Sequence, residues 1–134
     1  MDAAPQQVSL DHGDLLHANV LIADDASRVN GVFSWKCSLR GDYLYDTAWC
    51  TFCGAIWHPG IAAADPWRRI LREPTIVDDA AALTDAAVRH HCYELHIGLT
   101  AMAWNVWVDD TANLRRVAGH LHEVIERGPL PDAP

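Results

Sequence analysis

Lysine is nearly absent from this chain: Lys36 is the single example among 134 residues. Ten Lys and Arg stand against eighteen Asp and Glu, for a formal net charge of −8. Holding a nucleic-acid backbone or an anionic membrane surface takes clustered cations, so this balance argues against both as partners. A cationic small molecule would suit the surface, and solubility alone is the other reading of the same acidity. Long apolar runs are missing too. Nothing approaches the ~20 residues needed to span a bilayer, and the opening "MDAAPQQVS" has neither the basic region nor the apolar stretch of a secretory signal. A cytoplasmic protein is expected. Cysteine is sparse, with four residues, which in that compartment are expected to be reduced. Cys50 and Cys53 form a lone C-x-x-C inside the apolar stretch "YDTAWCTFCGAIW", where core packing is the simpler role. Cys92 and His96 share a helical spacing but lack a third and fourth metal ligand.

What is present suffices for one domain. Half of the residues are hydrophobic, and a chain of this length buries roughly two-thirds of its unfolded surface. Residues 1–9 show no apolar periodicity and are expected to form a disordered tail, with 10–128 as the folded domain and 129–134 as a C-terminal tail. "NVLIA" (19–23) and "RVNGVFSW" (28–35) are β-prone runs separated by the polar "DDAS", the pattern of a hairpin. From residue 42 the periodicity becomes helical. Leu44, Ala48, Trp49, Phe52 and Ile56 recur at intervals of three and four, with "HPG" as the stop. "DPWRRILRE" offers Asp65 as an N-cap and Pro66 at the first helical position. The stretch 78–108 is helix-compatible almost throughout. The last segment aligns Leu114, Val117, Leu121, Val124 and Ile125 ahead of a Gly128-Pro129 terminator. The expected fold class is mainly α with a small β-hairpin (α+β).

One segment carries chemistry. In "HGDLLHAN", Asp14 stands five residues before Asn19, and the segment leads directly into the first strand. In phosphoryl transfer, an Asp at such a place orients or accepts the proton of the attacking hydroxyl, while an Asn reaches a Mg²⁺ that bridges the nucleotide phosphates. Mg²⁺ also takes one or two carboxylates besides waters and phosphates, which Asn19 alone does not supply.

Four segments in order, "HGDLLHANVLIA", "GVFSWKCSLRGDYLYDTAW", "WHPG" and "CYELHIGL", make residues 10–57 and 89–107 resemble the aminoglycoside phosphotransferase family. The resemblance implies the C-terminal lobe of a protein-kinase-like fold and an activity of ATP-dependent O-phosphorylation of small hydroxylated amines, antibiotics among them, with ATP and Mg²⁺ as cofactors. It assigns the catalytic base to Asp14 and a metal ligand to Asn19. His12, Gly13, Asp42 and Asp46 become structural parts of the loop and of the following helix. Glu94 becomes a candidate for binding the acceptor, with a plain solvent-facing helix residue as the alternative.

The chain departs from the family pattern at two places. Ser34 stands where the family has the Asp that is the principal metal ligand, and Lys36 stands where a small residue is usual. A neutral hydroxyl cannot replace the Coulombic contribution of that carboxylate. Moreover, the eleven residues before His12 are too few for the glycine-rich cover, strand lysine and hinge of the N-terminal lobe. The expectation is therefore a truncated and inactive lobe, or a non-catalytic module that binds a small molecule or a partner. Surfaces that would face the missing lobe are expected to be apolar and to favour self-association or an N-terminal-lobe partner.

Overall fold

A computed structural model describes residues 8–15, 17–72 and 85–131. The tail expected over 1–9 falls mostly outside these residues, as do the last three residues of the C-terminal tail and the first part of the helical stretch expected from 78. The architecture is mainly helical with small antiparallel sheets, as expected. Four short strands come first: β1 (Ser9–Asp11), β2 (Val20–Ile22), β3 (Val29–Val32) and β4 (Leu39–Gly41). Among the described residues five helices follow: α1 (Leu44–Trp57), α2 (Pro59–Ala63), α3 (Pro66–Arg72), α4 (Ala86–Trp107) and α5 (Thr111–Arg127).

The expected hairpin forms from β2 and β3, with Val20 opposite Val32 and Leu21 opposite Gly31. A bulge follows at Leu21/Ile22, which brings Ile22 opposite Val29. Its turn is closed by the Ala23 amide donating to the Arg28 carbonyl at 3.0 Å, so the polar "DDAS" segment turns the chain and Asn30-Gly31 stays within the strand. A second sheet was not anticipated. β1 pairs with β4, setting Ser9 opposite Gly41 and Asp11 opposite Leu39. The hairpin is thereby nested inside an outer pair of strands, and the segment from 12 to 38 is held at both ends.

Three helices make the main core. Ala48, Phe52 and Cys53 of α1, Ile97 of α4, and Val117, Leu121 and Val124 of α5 form one buried cluster. The helices meet closely at Gly98, where a Cβ would lie 2.6 Å from Leu121 and 2.9 Å from Phe52. Only a residue without a side chain fits that crossing. Ile125, one position off the 117/121/124 stripe, is 54 % exposed. Asp110 starts α5 by accepting the Asn113 amide at 3.0 Å, and Gly128 ends it at φ 71°.

A second cluster joins Leu44, Trp67, Ala86 and Ala87, and the Trp67 indole donates to the Pro131 carbonyl at 3.0 Å, which ties down the C-terminal segment. The α3 start follows the expected rule: Pro66 is its first residue and the Asp65 carboxylate accepts the Arg68 amide at 3.1 Å. "HPG" does more than stop α1. His58 closes that helix by donating its amide to the Gly54 carbonyl, and Pro59 opens α2, the position where the missing N–H of proline costs nothing.

Candidate functional site

The outer strand pair and α1 hold the loop between Asp11 and Val20 from two sides. Asp46, in the first turn of α1, accepts the backbone amides of His12 at 2.6 Å and Gly13 at 2.9 Å. A carboxylate at a helix N-terminus is favoured by the dipole, and here it fastens the loop to the helix. Gly13 sits at φ 72°, a left-handed conformation, with Cys37 packed against the place a side chain would occupy.

His12 is buried and its ring is tied on both sides. Nε2 lies 2.8 Å from the Phe33 carbonyl, which can only accept, so Nε2 carries the proton. Nδ1 is then the acceptor for the Asp14 amide at 3.3 Å. The ring also packs on Trp35, with centroids 4.8 Å apart. One neutral imidazole thus links the loop to the end of β3.

Asn19 links them a second time. Its side-chain amide donates to the Asp14 carbonyl at 2.7 Å and to Asp14 Oδ2 at 3.3 Å, while its own carbonyl accepts the Phe33 amide at 3.0 Å. Phe33 is therefore bonded through its amide to Asn19 and through its carbonyl to His12, and the next residue is Ser34. Asp14 and Asn19 are thus in contact, and Ser34 follows Phe33 at the end of the hairpin. Ser34 adopts φ 68° and ψ 42°, a left-handed backbone that Asp and Asn tolerate better than most residues. Lys36 follows in a short 3₁₀ turn, Trp35–Cys37.

Asp42 lies behind this layer. It is buried, pairs with Arg89 of α4 at 2.9 Å, accepts the Tyr93 hydroxyl at 3.1 Å and accepts the Leu44 amide at 3.2 Å. It therefore starts α1 and couples it to α4. Glu94 is elsewhere. It is 1 % exposed, so it is neither a solvent-facing residue nor a member of the Asp14 cluster. Its carboxylate accepts from Thr51 at 3.1 Å and from Arg127 at 2.5 Å, joining α1, α4 and α5. Beside it burial holds His90 down to about 3, so that ring is neutral and the Glu94 carboxylate is balanced by Arg127 instead.

Asp11 is a buried carboxylate that the sequence did not single out. One oxygen accepts from Ser9, and among the described residues the other has no hydrogen-bond partner. Burial is the main cause of its raised pKa; the nearby Asp46 and Asp42 add to it against the Ser9 bond. A carboxyl whose folded pKa lies above its unfolded value favours folding at low pH, and that contribution is lost as pH rises through the folded value. Asp11→Asn is therefore expected to be more stable than wild type at neutral pH. The advantage should shrink as pH falls toward the ordinary carboxylate value of 3.8, which urea denaturation at the two pH values would read. A constant difference would place the effect in packing and not in charge.

Magnesium chemistry asks for more than the mouth supplies. The oxygens available there are the Asn19 amide, the Ser34 hydroxyl and the Asp14 carboxylate, one oxygen of which already accepts from Asn19. Among the described residues, no group of three or more His, Cys, Asp or Glu could hold a metal ion. Cys53 offers no substitute, since burial, with smaller contributions from Cys50 and Asp14, pushes its thiol up to about 12. A hard cation that needs a dedicated carboxylate does not fit this donor set as it stands. No helix among the described residues is long and apolar enough to cross a membrane.

Sequence reasoning found the loop and, through the resemblance, named Asp42 and Asp46 as structural, but not the partners that hold them. The Asp42–Arg89 pair joins positions far apart in the chain, which no local pattern reveals, and Asp11 reads as an ordinary loop aspartate until β1 and β4 pair around it. Comparison with known proteins bears on the same segment. No curated protein and no solved structure matches the chain. The family model described as the phosphotransferase enzyme family matches residues 1–74, which takes in the loop, the hairpin and α1 but not the second resembling stretch at 89–107. With more than half of the 134 residues matched, the chain belongs to the phosphotransferase enzyme family.

Proposed function

We propose that this chain carries the catalytic-loop lobe of a cytoplasmic ATP-dependent O-phosphotransferase for small hydroxylated amines, and that by itself it transfers no phosphate. The observation that carries the reading is the Asn19 side chain bonded to Asp14 while its backbone holds Phe33. This supports reading Asp14 as the base and Asn19 as the amide ligand, with the degenerate Ser34 position one residue beyond Phe33. In this reading Asp14 accepts or orients the acceptor's hydroxyl proton, and His12, Gly13, Asp42 and Asp46 hold the loop in place. Bound Mg²⁺ and ATP would supply the phosphoryl group and its charge neutralisation. The order of the motifs is most like that of hygromycin B phosphotransferase, which makes hygromycin-like aminoglycosides the first acceptors to try.

Ser34 supports a second reading, a lobe that binds a small molecule or a partner without turnover. The face around the hairpin is suited to such a partner: Leu10, Leu21, Ile22, Val29 and Phe33 are between 44 % and 66 % exposed. An apolar face of this kind is covered by an N-terminal lobe or by a second copy of the chain. Nucleotide binding measured with and without Mg²⁺ tests the metal side of both readings. Wild type is expected to bind ATP weakly and equally in both conditions. Ser34→Asp is expected to gain a Mg²⁺-dependent tightening of about tenfold, equivalent to ~1.4 kcal/mol. Equal Mg²⁺ dependence in wild type would mean that the metal site is already complete.

A further inference from the structure

One residue past Asp14, Leu15 enters the wall of a cleft of about 560 Å³ that runs between α1 and α3. Asp46 and Cys50 line it from α1, and Arg69, Ile70 and Arg72 from α3. The volume is that of a small-molecule site. Arg69 and Arg72 outnumber Asp46 in its lining, whereas the protein as a whole carries −8.

The other arginines near these helices are engaged. Arg68 pairs with Asp65, Arg89 with Asp42 and Arg127 with Glu94. Arg69 and Arg72, one helical turn apart and both exposed, have no ion pair among the described residues. Asp46 keeps its negative charge while it accepts the His12 and Gly13 amides, and it forms no ion pair with either arginine among the described residues. Two guanidinium groups facing one cleft form a fork suited to a carboxylate or a phosphate. Asp14 immediately precedes Leu15, which lines the cleft.

We propose that this cleft is the acceptor site and that the acceptor carries an anionic group, held by Arg69 and Arg72, with its hydroxyl directed towards Asp14. The inference rests on the phosphotransferase reading of Asp14, and it narrows the acceptor class. A hydroxylated amine that enters here also bears a carboxylate or a phosphate.

Three probes with one sugar skeleton test it by calorimetric titration of the full chain in the absence of ATP: glucosamine, glucosaminate and glucosamine 6-phosphate. At least one of the two anionic probes is expected to bind ten or more times tighter than glucosamine. Glucosaminate ahead identifies a carboxylate acceptor, and glucosamine 6-phosphate ahead a phosphorylated one. Arg69→Gln/Arg72→Gln should abolish the preference, whereas Arg68→Gln, on the same helix but paired with Asp65, should keep it. Equal binding of the three probes, no binding of any, or a preference that survives the double substitution overturns the proposal. Since no nucleotide is present, failure of phosphate transfer leaves this result untouched.

Discussion

Incubated with ATP, Mg²⁺ and a hydroxylated acceptor, the chain should release no phosphorylated product above the level of its Asp14→Ala variant, and Ser34→Asp alone should not change that. In phosphoryl transfer, positioning and electrostatic stabilisation supply nearly all of the acceleration. Removing one preorganised group commonly costs ~10²- to 10³-fold, and here more than one is missing. Ser34 stands where the family pattern has a metal carboxylate. The only lysine, Lys36, lies in the 3₁₀ turn after Ser34 and not on a strand, and none of the eight glycines falls in a phosphate-covering G-x-G-x-x-G pattern. Restoring one carboxylate therefore completes the metal ligand set while the transferring phosphate stays unaligned. Ser34→Asp together with an N-terminal lobe supplied in trans is the combination expected to raise transfer, by ~10²-fold or more over Asp14→Ala. The assay is transfer of labelled phosphate to hygromycin-like aminoglycosides and to the anionic sugars above. Wild-type turnover above background would show the loop to be a working site.

Gly13→Ala should be among the most damaging single changes to the fold, at about 3 kcal/mol. Two costs add there. A left-handed backbone costs a residue with a Cβ ~1–2 kcal/mol. Overpacking typically costs a further ~1–3 kcal/mol, and the new carbon would lie 2.3 Å from the Cys37 carbonyl oxygen, which is backbone and cannot swing away. Relief requires the loop to separate from residues 37–39, which breaks the two amide bonds to Asp46. Against a typical total of ~5–15 kcal/mol, the shift in urea midpoint should be plain. Gly119→Ala, in the exposed middle of α5 with nothing within 4 Å of its Cβ, is the control and should stabilise by ~1 kcal/mol. A Gly13→Ala protein as stable as wild type would contradict the packing of the loop on residues 37–39.

The parts legible in the sequence are those whose signals are local. The 44/48/52 stripe, the Asp65-Pro66 start and the Gly128 stop each rest on residues within a few positions of one another, and so does the Asp14–Asn19 spacing. The β1–β4 pair was not legible, because "SLD" and "LRG" are too short to show alternation and are joined by register alone. Glu94 was visible as a carboxylate on a helix, but its place inside depends on Thr51 and Arg127, which come from two other helices. The cleft was likewise hidden, since no local pattern in "WRRILR" shows that Arg69 and Arg72 line it beside Leu15.

Ser34 retains a left-handed backbone although serine gains nothing from it. Its neighbours impose the shape: Phe33 is fixed through both its amide and its carbonyl, and the 3₁₀ turn follows at once. What sets this position apart from the family pattern is the functional group and not the backbone that presents it. A Ser34→Asp side chain would enter a shape already built, returning a metal ligand without rebuilding its surroundings, though not phosphate transfer by that change alone.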